Sequence, residues 1–327
     1  MSETVGPDDV RIAIKACGIC ASDIHYFLNG RIGDFVVNEP LILGHEASGI
    51  VVEKGSNVKN LNAGDSVCME PGIPDFKSAE TLKGMYNLDP ALSFWATPPI
   101  HGCLRETVVH PASLTFKLPD NVSLHEGALA EPLAIGFWAA KKAQIEPGDA
   151  ALVIGGGTIG IVTALAAASS GCSKVYIADI KKGKLEFIKQ HYSGKLETID
   201  LNEISITDYF SEKGIKGVDI VFEASGSVKA FENICAYLAP GGKMVLIGIP
   251  SSPVPINVPA MQAKEISIET IFRYVNIFPL VIKMISSGKI NVKPLVTKLY
   301  PFAESVAAFD YAATLPEKDV KIMIDLE

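Results

Sequence analysis

The chain lacks any run of lysine or arginine. Its 29 basic residues are outnumbered by 37 acidic ones, which gives a formal net charge of −8. Because nucleic acids and anionic membranes attract basic patches, we expect neither as a partner. The N-terminus also lacks a basic stretch followed by an apolar block and a cleavage site, so we expect no secretory signal.

Cysteine is sparse and scattered. The 327 residues contain six cysteines, at positions 17, 20, 68, 103, 172 and 235. This spacing does not form the dense framework that is typical of disulfide-stabilised secreted domains. It predicts a cytoplasmic protein whose thiols are free or bound to metal.

Charge is also absent from one long stretch, residues 150–173, which therefore imitates a membrane span. Three consecutive glycines at 155–157 lie near the middle of this stretch and would interrupt a lipid-facing helix. We therefore interpret it as a strand, a turn and a helix, and we expect no membrane segment.

Two patterns of apolar residues alternate along the chain. A chain of this length with 48% hydrophobic content also favours two domains. Up to about residue 119, short apolar runs separated by turn signals indicate a strand-rich, irregular domain. Ser123 and Glu126 then have the spacing of a capping box, which indicates a helix start, and Pro132 marks a break or restart. The predicted strands of this part are 10–16, 50–53, 67–69, 105–109 and 114–117.

From about residue 150 the pattern becomes strand, helix, strand, helix, which predicts a parallel sheet with helices on both faces. After about residue 274 the pattern is mixed again, and it predicts a helix near 303–313 and a last strand near 320–325. The sequence thus predicts an α/β protein in which a doubly wound Rossmann sheet is inserted into a strand-rich domain. The predicted strands of the insert are 151–154, 174–178, 218–223 and 243–248, and its helices are 158–170, 181–190 and 227–238.

A glycine-rich motif follows the first predicted strand of the insert. Gly155, Gly157 and Gly160 match G-x-G-x-x-G at the start of a helix, and Asp179 ends the next strand. This combination is typical of dinucleotide binding, with the pyrophosphate at the helix N-terminus and the ribose hydroxyls on the carboxylate. The charge of Asp179 favours NAD over NADP. The remaining candidates of this site are Thr158, Ile159 and Lys184.

Two alternatives stay open for this motif. A glycine-rich turn with an ordinary exposed aspartate would have the same local sequence. In addition, Lys181, Lys182 and Lys184 would tolerate a 2′-phosphate and so weaken the preference against NADP.

Thiolate, imidazole and carboxylate donors come from three separated segments of the first domain. Cys20, His45, Glu46 and Glu131 together offer the S, N and O ligands of an open, catalytic zinc site. Cys17 and Cys20 also form a C-x-x-C motif, which alternatively indicates a redox pair or two metal ligands. Taken singly, a buried histidine is more often a core residue than a ligand, and Glu131 before Pro132 would serve as a helix cap.

These motifs resemble the zinc-dependent medium-chain dehydrogenases. The resemblance rests on Cys-Gly-Ile-Cys-Ala-Ser-Asp-Ile-His at 17–25, Gly-His-Glu at 44–46 and Glu-Pro-Leu at 131–133. The sorbitol/xylitol (polyol) dehydrogenase branch is the more similar one, because residues 71–89 contain no cysteine for a structural zinc. Tyr-Asn-Leu at 86–88 and Phe-Arg-Tyr at 272–274 are similar to segments of that branch.

The resemblance implies a GroES-like catalytic domain over residues 1–131 and 274–327 and an NAD-binding Rossmann domain over 132–273. It implies that Cys20 and His45 ligate one catalytic zinc. Of Glu46 and Glu131, one binds the metal and the other holds its water, and which does which stays open. Ser22 and His25 are similar to the proton relay of the family, although a helix cap and a surface histidine are the alternatives. The implied substrate residues are Tyr26, Thr97, Arg273 and Tyr274.

The implied activity is reversible, NAD-dependent oxidation of a polyol such as xylitol or sorbitol at C2 to the ketose. The family implies a homodimer or homotetramer. Members usually carry a strand pair before the segment that resembles residues 10–16, whereas only nine residues precede it here. A non-catalytic or impaired NAD-binding homologue with an exposed sheet edge is therefore one alternative. A zinc-independent reductase of the same fold is the other.

Overall fold

The computed structural model describes residues 3–326. Contacts divide the chain into two compact units, Met1–Glu131 with Val275–Glu327, and Pro132–Tyr274. Tyr274 falls in the second unit, whereas the sequence-based boundary places it in the first. The assignment of catalytic and NAD-binding roles to the two units stays a prediction.

The first unit is strand-rich, as its short apolar runs predict. Its main sheet has the order β16 (Val296–Pro301), β17 (Lys321–Asp325), β1 (Asp9–Gly18), β4 (Glu46–Lys54), β5 (Ser66–Met69) and β9 (Thr115–Lys117), and β8 (Thr107–Pro111) also pairs with β1. From Asp9 to Ala16, strand β1 alternates half-buried and buried residues because successive side chains point to opposite faces. In chain order, the elements before the second unit are β1 (Asp9–Gly18), α1 (Ala21–Asn29), β2 (Arg31–Ile32), β3 (Phe35–Val36), β4 (Glu46–Lys54), β5 (Ser66–Met69), β6 (Gly72–Ile73), α2 (Ala79–Leu82), β7 (Ser93–Phe94), β8 (Thr107–Pro111), β9 (Thr115–Lys117), α3 (Leu124–Ala128) and α4 (Ala130–Ala143).

The predicted helix start at Ser123 is confirmed. The Ser123 side chain accepts a hydrogen bond from the N–H of Glu126, and the Glu126 carboxylate accepts one from the N–H of Ser123. Helix α3 ends at Ala128 and α4 begins at Ala130, so Pro132 lies in the first turn of α4, where its missing N–H costs no helical hydrogen bond.

The second unit is the predicted doubly wound sheet. Its six strands have the order β12-β11-β10-β13-β14-β15, and the five pairings between neighbouring strands are all parallel. This is the order of a dinucleotide-binding sheet. The order of the strands, not their direction, reverses between β10 and β13. Its elements are β10 (Ala150–Ile154), α5 (Thr158–Ser170), β11 (Lys174–Asp179), α6 (Lys182–Tyr192), β12 (Glu197–Asp200), α7 (Ile206–Glu212), β13 (Val218–Glu223), β14 (Leu238–Leu246), α8 (Val258–Lys264) and β15 (Ser267–Thr270).

One predicted element of this unit is wrong. Residues 227–238 do not form one α-helix but two short 3₁₀ turns, Val228–Phe231 and Ile234–Tyr237. Asn233 lies between them with φ −126° and ψ 15°, outside helical geometry. Asparagine has low helix propensity, and 3₁₀ turns are common as short connectors.

The chain then returns to the first unit through α9 (Phe278–Ser286), β16 (Val296–Pro301), α10 (Ser305–Ala313) and β17 (Lys321–Asp325). Strand β17 pairs antiparallel with the C-terminal end of β1, with Gly18 opposite Met323. This pairing brings the start of β17 next to residues 18–20. The uncharged stretch 150–173 folds as β10, a turn and α5, as predicted. Within residues 3–326, no helix combines the length and the apolar character needed to cross a membrane.

Candidate metal and dinucleotide sites

Cys20 occupies the position directly before helix α1, and Asp23 fixes it there. The N–H of Cys20 donates a hydrogen bond of 3.0 Å to Oδ2 of Asp23. This is the backbone half of a capping box, in which the third helical residue reaches back to the cap. The thiol is therefore held at the N-terminus of a helix, where the helix dipole favours a negative charge.

Asp23 also positions the histidine. Its Oδ1 accepts a hydrogen bond of 3.0 Å from the N–H of Gly44 and lies 3.5 Å from Nδ1 of His45. Burial by itself lowers the pKa of His45, but the charges of Asp23 and Cys20 raise this pKa well above its ordinary value. Burial raises the pKa of Asp23, whereas His45 and the backbone donors lower it below its ordinary value. With Nδ1 turned to a carboxylate, Nε2 of His45 is left for a metal.

The donor atoms of Cys20, His45 and Glu46 converge. One ligand atom from each lies within 4.8 Å of the other two, and two of these three residues are buried. Gly44 has φ +90°, and the chain turns there so that His45 precedes β4 and Glu46 opens it. Zinc binds S, N and O donors at about 2.0–2.3 Å. A soft thiolate, an imidazole and a carboxylate in one group therefore fit a zinc ion with an open position.

Glu46 has a buried cationic partner. Nζ of Lys321 donates to both carboxylate oxygens of Glu46 at 2.7 Å and to the carbonyl oxygen of Ile19 at 3.1 Å. Burial lowers the pKa of Lys321, but the charge of Glu46 outweighs it, and the pKa is raised. The pairing of β17 with β1 places Lys321 beside Cys20 in space, although 300 residues separate them in sequence.

Glu131 lies outside the group of mutually close donors, in the first turn of α4, and is buried. Its charge contributes to the raised pKa of Lys321 and to the raised pKa of Glu70. Glu131 is therefore near the cluster, but Glu46 is the glutamate whose donor atom meets those of Cys20 and His45. Which glutamate completes a bound zinc stays a prediction.

The other predicted residues of the first unit lie on helix α1 and next to the cis-proline turn. Ser22 is half-buried, His25 is exposed, and Tyr26 is buried, all on α1. Thr97 precedes the cis peptide bond between Pro98 and Pro99, and its carbonyl oxygen accepts a hydrogen bond from Ile100. No direct hydrogen bond between Ser22 and His25 is found in the described part of the chain. Their roles as a relay, and those of Tyr26 and Thr97 toward substrate, stay predictions.

Arg273 and Tyr274 end the second unit. Arg273 has φ +57°, and its guanidinium lies 4.7 Å from the ring centroid of Phe272. Tyr274 is buried, with 2% of its surface exposed. A non-glycine residue with positive φ is uncommon and is found often at functional sites. This is consistent with a substrate role for Arg273, which stays a prediction.

The glycine loop has the geometry that its motif predicts. Gly155 has φ +110°, and a Cβ on Gly160 would lie 1.7 Å from the carbonyl oxygen of Gly155. Both positions therefore exclude any side chain. Gly157 differs, since a Cβ there would meet no protein atom within 4 Å and the residue is exposed. The open space at Gly157 leaves the N-terminus of α5 accessible to an anion, with Thr158 and Ile159 in its first turn.

Asp179 ends β11 and ties two backbone segments together. Its carboxylate accepts hydrogen bonds from the N–H groups of Gly156 and Lys181. The side chain is thus held at the edge of the glycine loop, at the position expected for a ribose-binding carboxylate. Lys184 lies in α6 and is buried, with 8% of its surface exposed.

Three residues of these sites are not among the candidates predicted from sequence. Asp23 had a local signal, the capping-box spacing after Cys20. Lys321 had none, because only the strand pairing brings it to Glu46. Glu223 is the third such residue and lies in the second unit. It is the fully buried last residue of β13, and its carboxylate accepts hydrogen bonds from the N–H groups of Ser225 and Gly226 beside Gly155.

The two units correspond to two known domain families. The alcohol dehydrogenase GroES-like domain matches residues 6–120, and the zinc-binding dehydrogenase domain matches residues 158–287. Fold and donor group therefore define a zinc-binding dehydrogenase of the GroES-like class, and the expected fold class is confirmed.

Similar proteins narrow this class. A D-xylulose reductase from Morganella morganii is 52% identical over 313 residues, covering 95% of this chain and 92% of that protein. A sorbitol dehydrogenase from Arabidopsis thaliana is 39% identical, covering 99% of this chain and 90% of that protein. A dehydrogenase from Escherichia coli CFT073, rspB, solved in complex with NADH, is 25% identical with a TM-score of 0.90, covering 99% and 94% of the two chains. The chain therefore belongs to the zinc-dependent medium-chain polyol dehydrogenases, as its motifs predict.

Proposed function

We propose that this chain is a zinc-dependent polyol dehydrogenase, which oxidises xylitol, sorbitol or a similar polyol at C2 to the ketose with NAD, reversibly. One observation carries the proposal: the donors of Cys20, His45 and Glu46 converge in a chain that is 52% identical to a D-xylulose reductase. An NADH complex of a structural relative supports the choice of NAD, as does the carboxylate of Asp179 at the glycine loop.

The first unit provides the catalytic residues in this proposal. Zinc would supply Lewis acidity to a substrate hydroxyl, and NAD would supply the hydride acceptor. Cys20, His45 and Glu46 would hold the metal, and Asp23 orients the imidazole of His45 through Nδ1. Ser22, half-buried on α1, takes the hydroxyl proton outward, and the exposed His25 three residues later passes it to solvent. Glu131 is the second, nearby carboxylate of the catalytic site.

The second unit binds the dinucleotide. Its candidate residues are Gly155, Gly157, Thr158, Ile159 and Gly160 for the pyrophosphate, and Asp179 with Lys184 for the adenosine ribose. At the end of this unit, Arg273 and Tyr274 offer hydrogen-bond donors that suit a chain of hydroxyls. In the first unit, Tyr26 and Thr97 are the candidate substrate residues.

A substrate panel tests this proposal. The purified chain is given xylitol, sorbitol, a simple secondary alcohol or a primary alcohol, with NAD or NADP, and formation of reduced cofactor is followed. We expect the highest kcat/KM with a polyol and NAD, and a ketose as product. Zinc and NADH binding without turnover of any polyol would instead support a non-catalytic homologue. Turnover by metal-free protein would support a zinc-independent reductase.

We further propose a cytoplasmic protein that assembles as a homodimer or homotetramer. Six free cysteines, with no disulfide in the part of the chain that the structure describes, support a reducing compartment. The assembly follows from the resemblance to the polyol branch. Light scattering coupled to gel filtration measures it, and a monomer at micromolar concentration contradicts it.

A further inference from the structure

A buried ion pair lies directly behind the candidate metal group. Nζ of Lys321 binds both oxygens of Glu46 at 2.7 Å, and only 1% and 3% of the two side chains, Glu46 and Lys321, are exposed. A third hydrogen bond of 3.1 Å, to the carbonyl oxygen of Ile19, anchors Lys321 one residue before Cys20. The proposed function assigns Lys321 no role.

The Glu46 carboxylate is confined as well as paired. A Cβ on Gly18 would lie 2.1 Å from Oε2 of Glu46 and 3.2 Å from its Cβ and Cδ, so the side chain lies against the backbone of Gly18. A carboxylate has about four lone-pair sites on its two oxygens. Lys321 occupies one site on each oxygen, which leaves the other lone pairs for a metal held by Cys20 and His45.

We propose that Lys321 is a positioning residue that competes with the metal for the charge of Glu46 and thereby weakens zinc binding while keeping the ion electron-poor. The inference rests on the proposed function, because it assumes that zinc occupies the Cys20–His45–Glu46 group. Partners that accept hydrogen bonds from a ligand raise its basicity and strengthen metal binding. Lys321 donates to its ligand, so it has the opposite effect.

Two consequences follow for the protein with and without metal. Without metal, Lys321 keeps the buried Glu46 paired, so the donor group is retained in place. With metal, the positive charge of Lys321 would withdraw electron density from Glu46, so the ion would be a stronger Lewis acid toward a substrate hydroxyl. Removal of Lys321 should therefore tighten zinc binding, slow turnover, and destabilise the metal-free protein more than the zinc-loaded protein.

Zinc affinity is the direct readout, and it does not depend on turnover. The zinc dissociation constants of the wild-type chain and of Lys321→Met are measured by competition with a chromogenic chelator. We expect Lys321→Met to bind zinc about tenfold more tightly, at the lower end of the roughly 10- to 100-fold effects of partners behind metal ligands. Lys318→Met is the matched control, because Lys318 is exposed three residues earlier in the chain, and it should leave the constant unchanged.

A double-mutant cycle locates the effect at Glu46. In the Glu46→Gln background, Lys321→Met should no longer tighten zinc binding, because the shared carboxylate is gone. In the Glu131→Gln background, tightening should persist. Loss of tightening with Glu131→Gln but not with Glu46→Gln would overturn the inference, since Lys321 would then act through the other glutamate.

A role of Lys321 in folding alone gives a different pattern. It predicts a lower Tm for both metal-free and zinc-loaded Lys321→Met, with an unchanged zinc dissociation constant, and that result would overturn the inference. If Lys321→Met does not fold without zinc, Lys321→Gln, which keeps a neutral donor, takes its place, and the same tightening is expected. A wild-type chain that binds no zinc would contradict the proposed function itself, which separates the two failures.

Discussion

The Asp23 carboxylate joins the cysteine and the histidine of the candidate metal group: it accepts a hydrogen bond from the N–H of Cys20 and lies 3.5 Å from Nδ1 of His45. One buried side chain therefore sets both the start of helix α1 and the orientation of the imidazole. Both contacts are made by protein atoms, so Asp23 links the residue that carries the thiol directly to the residue that carries the imidazole.

Asp23→Asn tests this relationship. Asparagine keeps the size and an acceptor oxygen but loses the charge that orients Nδ1, so we expect zinc affinity to fall by about 10- to 100-fold. Competition with a chelator measures this change. Asp310→Asn, at an exposed position of α10, is the control and should have no effect. Unchanged zinc affinity in Asp23→Asn would show that Asp23 only caps the helix.

Two glycines of the dinucleotide loop should behave differently. Gly160→Ala places a Cβ 1.7 Å from the carbonyl oxygen of Gly155, so we expect a loss of at least about 2 kcal/mol in the free energy of unfolding. Gly157→Ala meets no protein atom within 4 Å and should preserve stability. It should nevertheless weaken NADH binding, because the added methyl group would keep the backbone from coming close to the pyrophosphate. Fluorescence titration with NADH and urea unfolding separate the two effects, and equal NADH affinity in Gly157→Ala contradicts the assignment.

The carboxylate of Asp179 should determine cofactor choice. Asp179→Ser removes the charge beside the glycine loop, and we expect kcat/KM with NAD to fall about tenfold or more, which corresponds to loss of a charged hydrogen bond. The ratio of NADP to NAD activity should rise, because repulsion of the 2′-phosphate is lost. Asp200→Ser, at the paired position of the neighbouring strand β12, is the control. An unchanged ratio in Asp179→Ser would remove this residue from the cofactor site.

Glu70 predicts a pH dependence of stability. Burial raises its pKa from 4.5 to about 7, against the hydrogen bond that it accepts from the hydroxyl of Tyr86. The folded state therefore holds the proton more tightly than the unfolded state. The contribution of Glu70 to the free energy of unfolding is fully present below about pH 4.5. It is lost as the pH rises to about 7, by roughly 3 kcal/mol in total.

Glu70→Gln should remove this pH dependence. Relative to the wild-type chain, Glu70→Gln should have a higher free energy of unfolding at pH 8 than at pH 5. Urea unfolding of zinc-saturated protein at both pH values measures it, with Glu106→Gln at an exposed position as the control. A difference that is constant with pH contradicts the raised pKa.

Much of the second unit could be predicted because its signals are local. The apolar strands β10, β11 and β13 and the glycine motif lie in short continuous segments, and the structure confirms their type. Strands β12 and β15 were missed, since each has only four residues and half-buried, mixed sequence. The helix predicted over 227–238 is not formed. Asn233, a residue of low helix propensity, has non-helical backbone angles and separates two short turns.

The contacts of the metal group could be predicted only in part from local sequence. Cys20, His45 and Glu46 were candidates from residue type, and the family was recognisable from their motifs. The partner of Glu46 was not, because Lys321 reaches it only through the pairing of β17 with β1, across almost the whole chain. The choice between Glu46 and Glu131 likewise depends on distances that no spacing in the sequence encodes.

The dependence of polyol oxidation on zinc at Cys20 tests the central claim most directly. The chain is stripped of metal, reloaded with increasing amounts of zinc, and assayed for NADH formation from xylitol, alongside Cys20→Ser. We expect turnover to rise in proportion to bound zinc up to one ion per chain. Cys20→Ser should abolish turnover and leave NADH binding nearly intact. Polyol oxidation that survives complete removal of zinc would contradict the account.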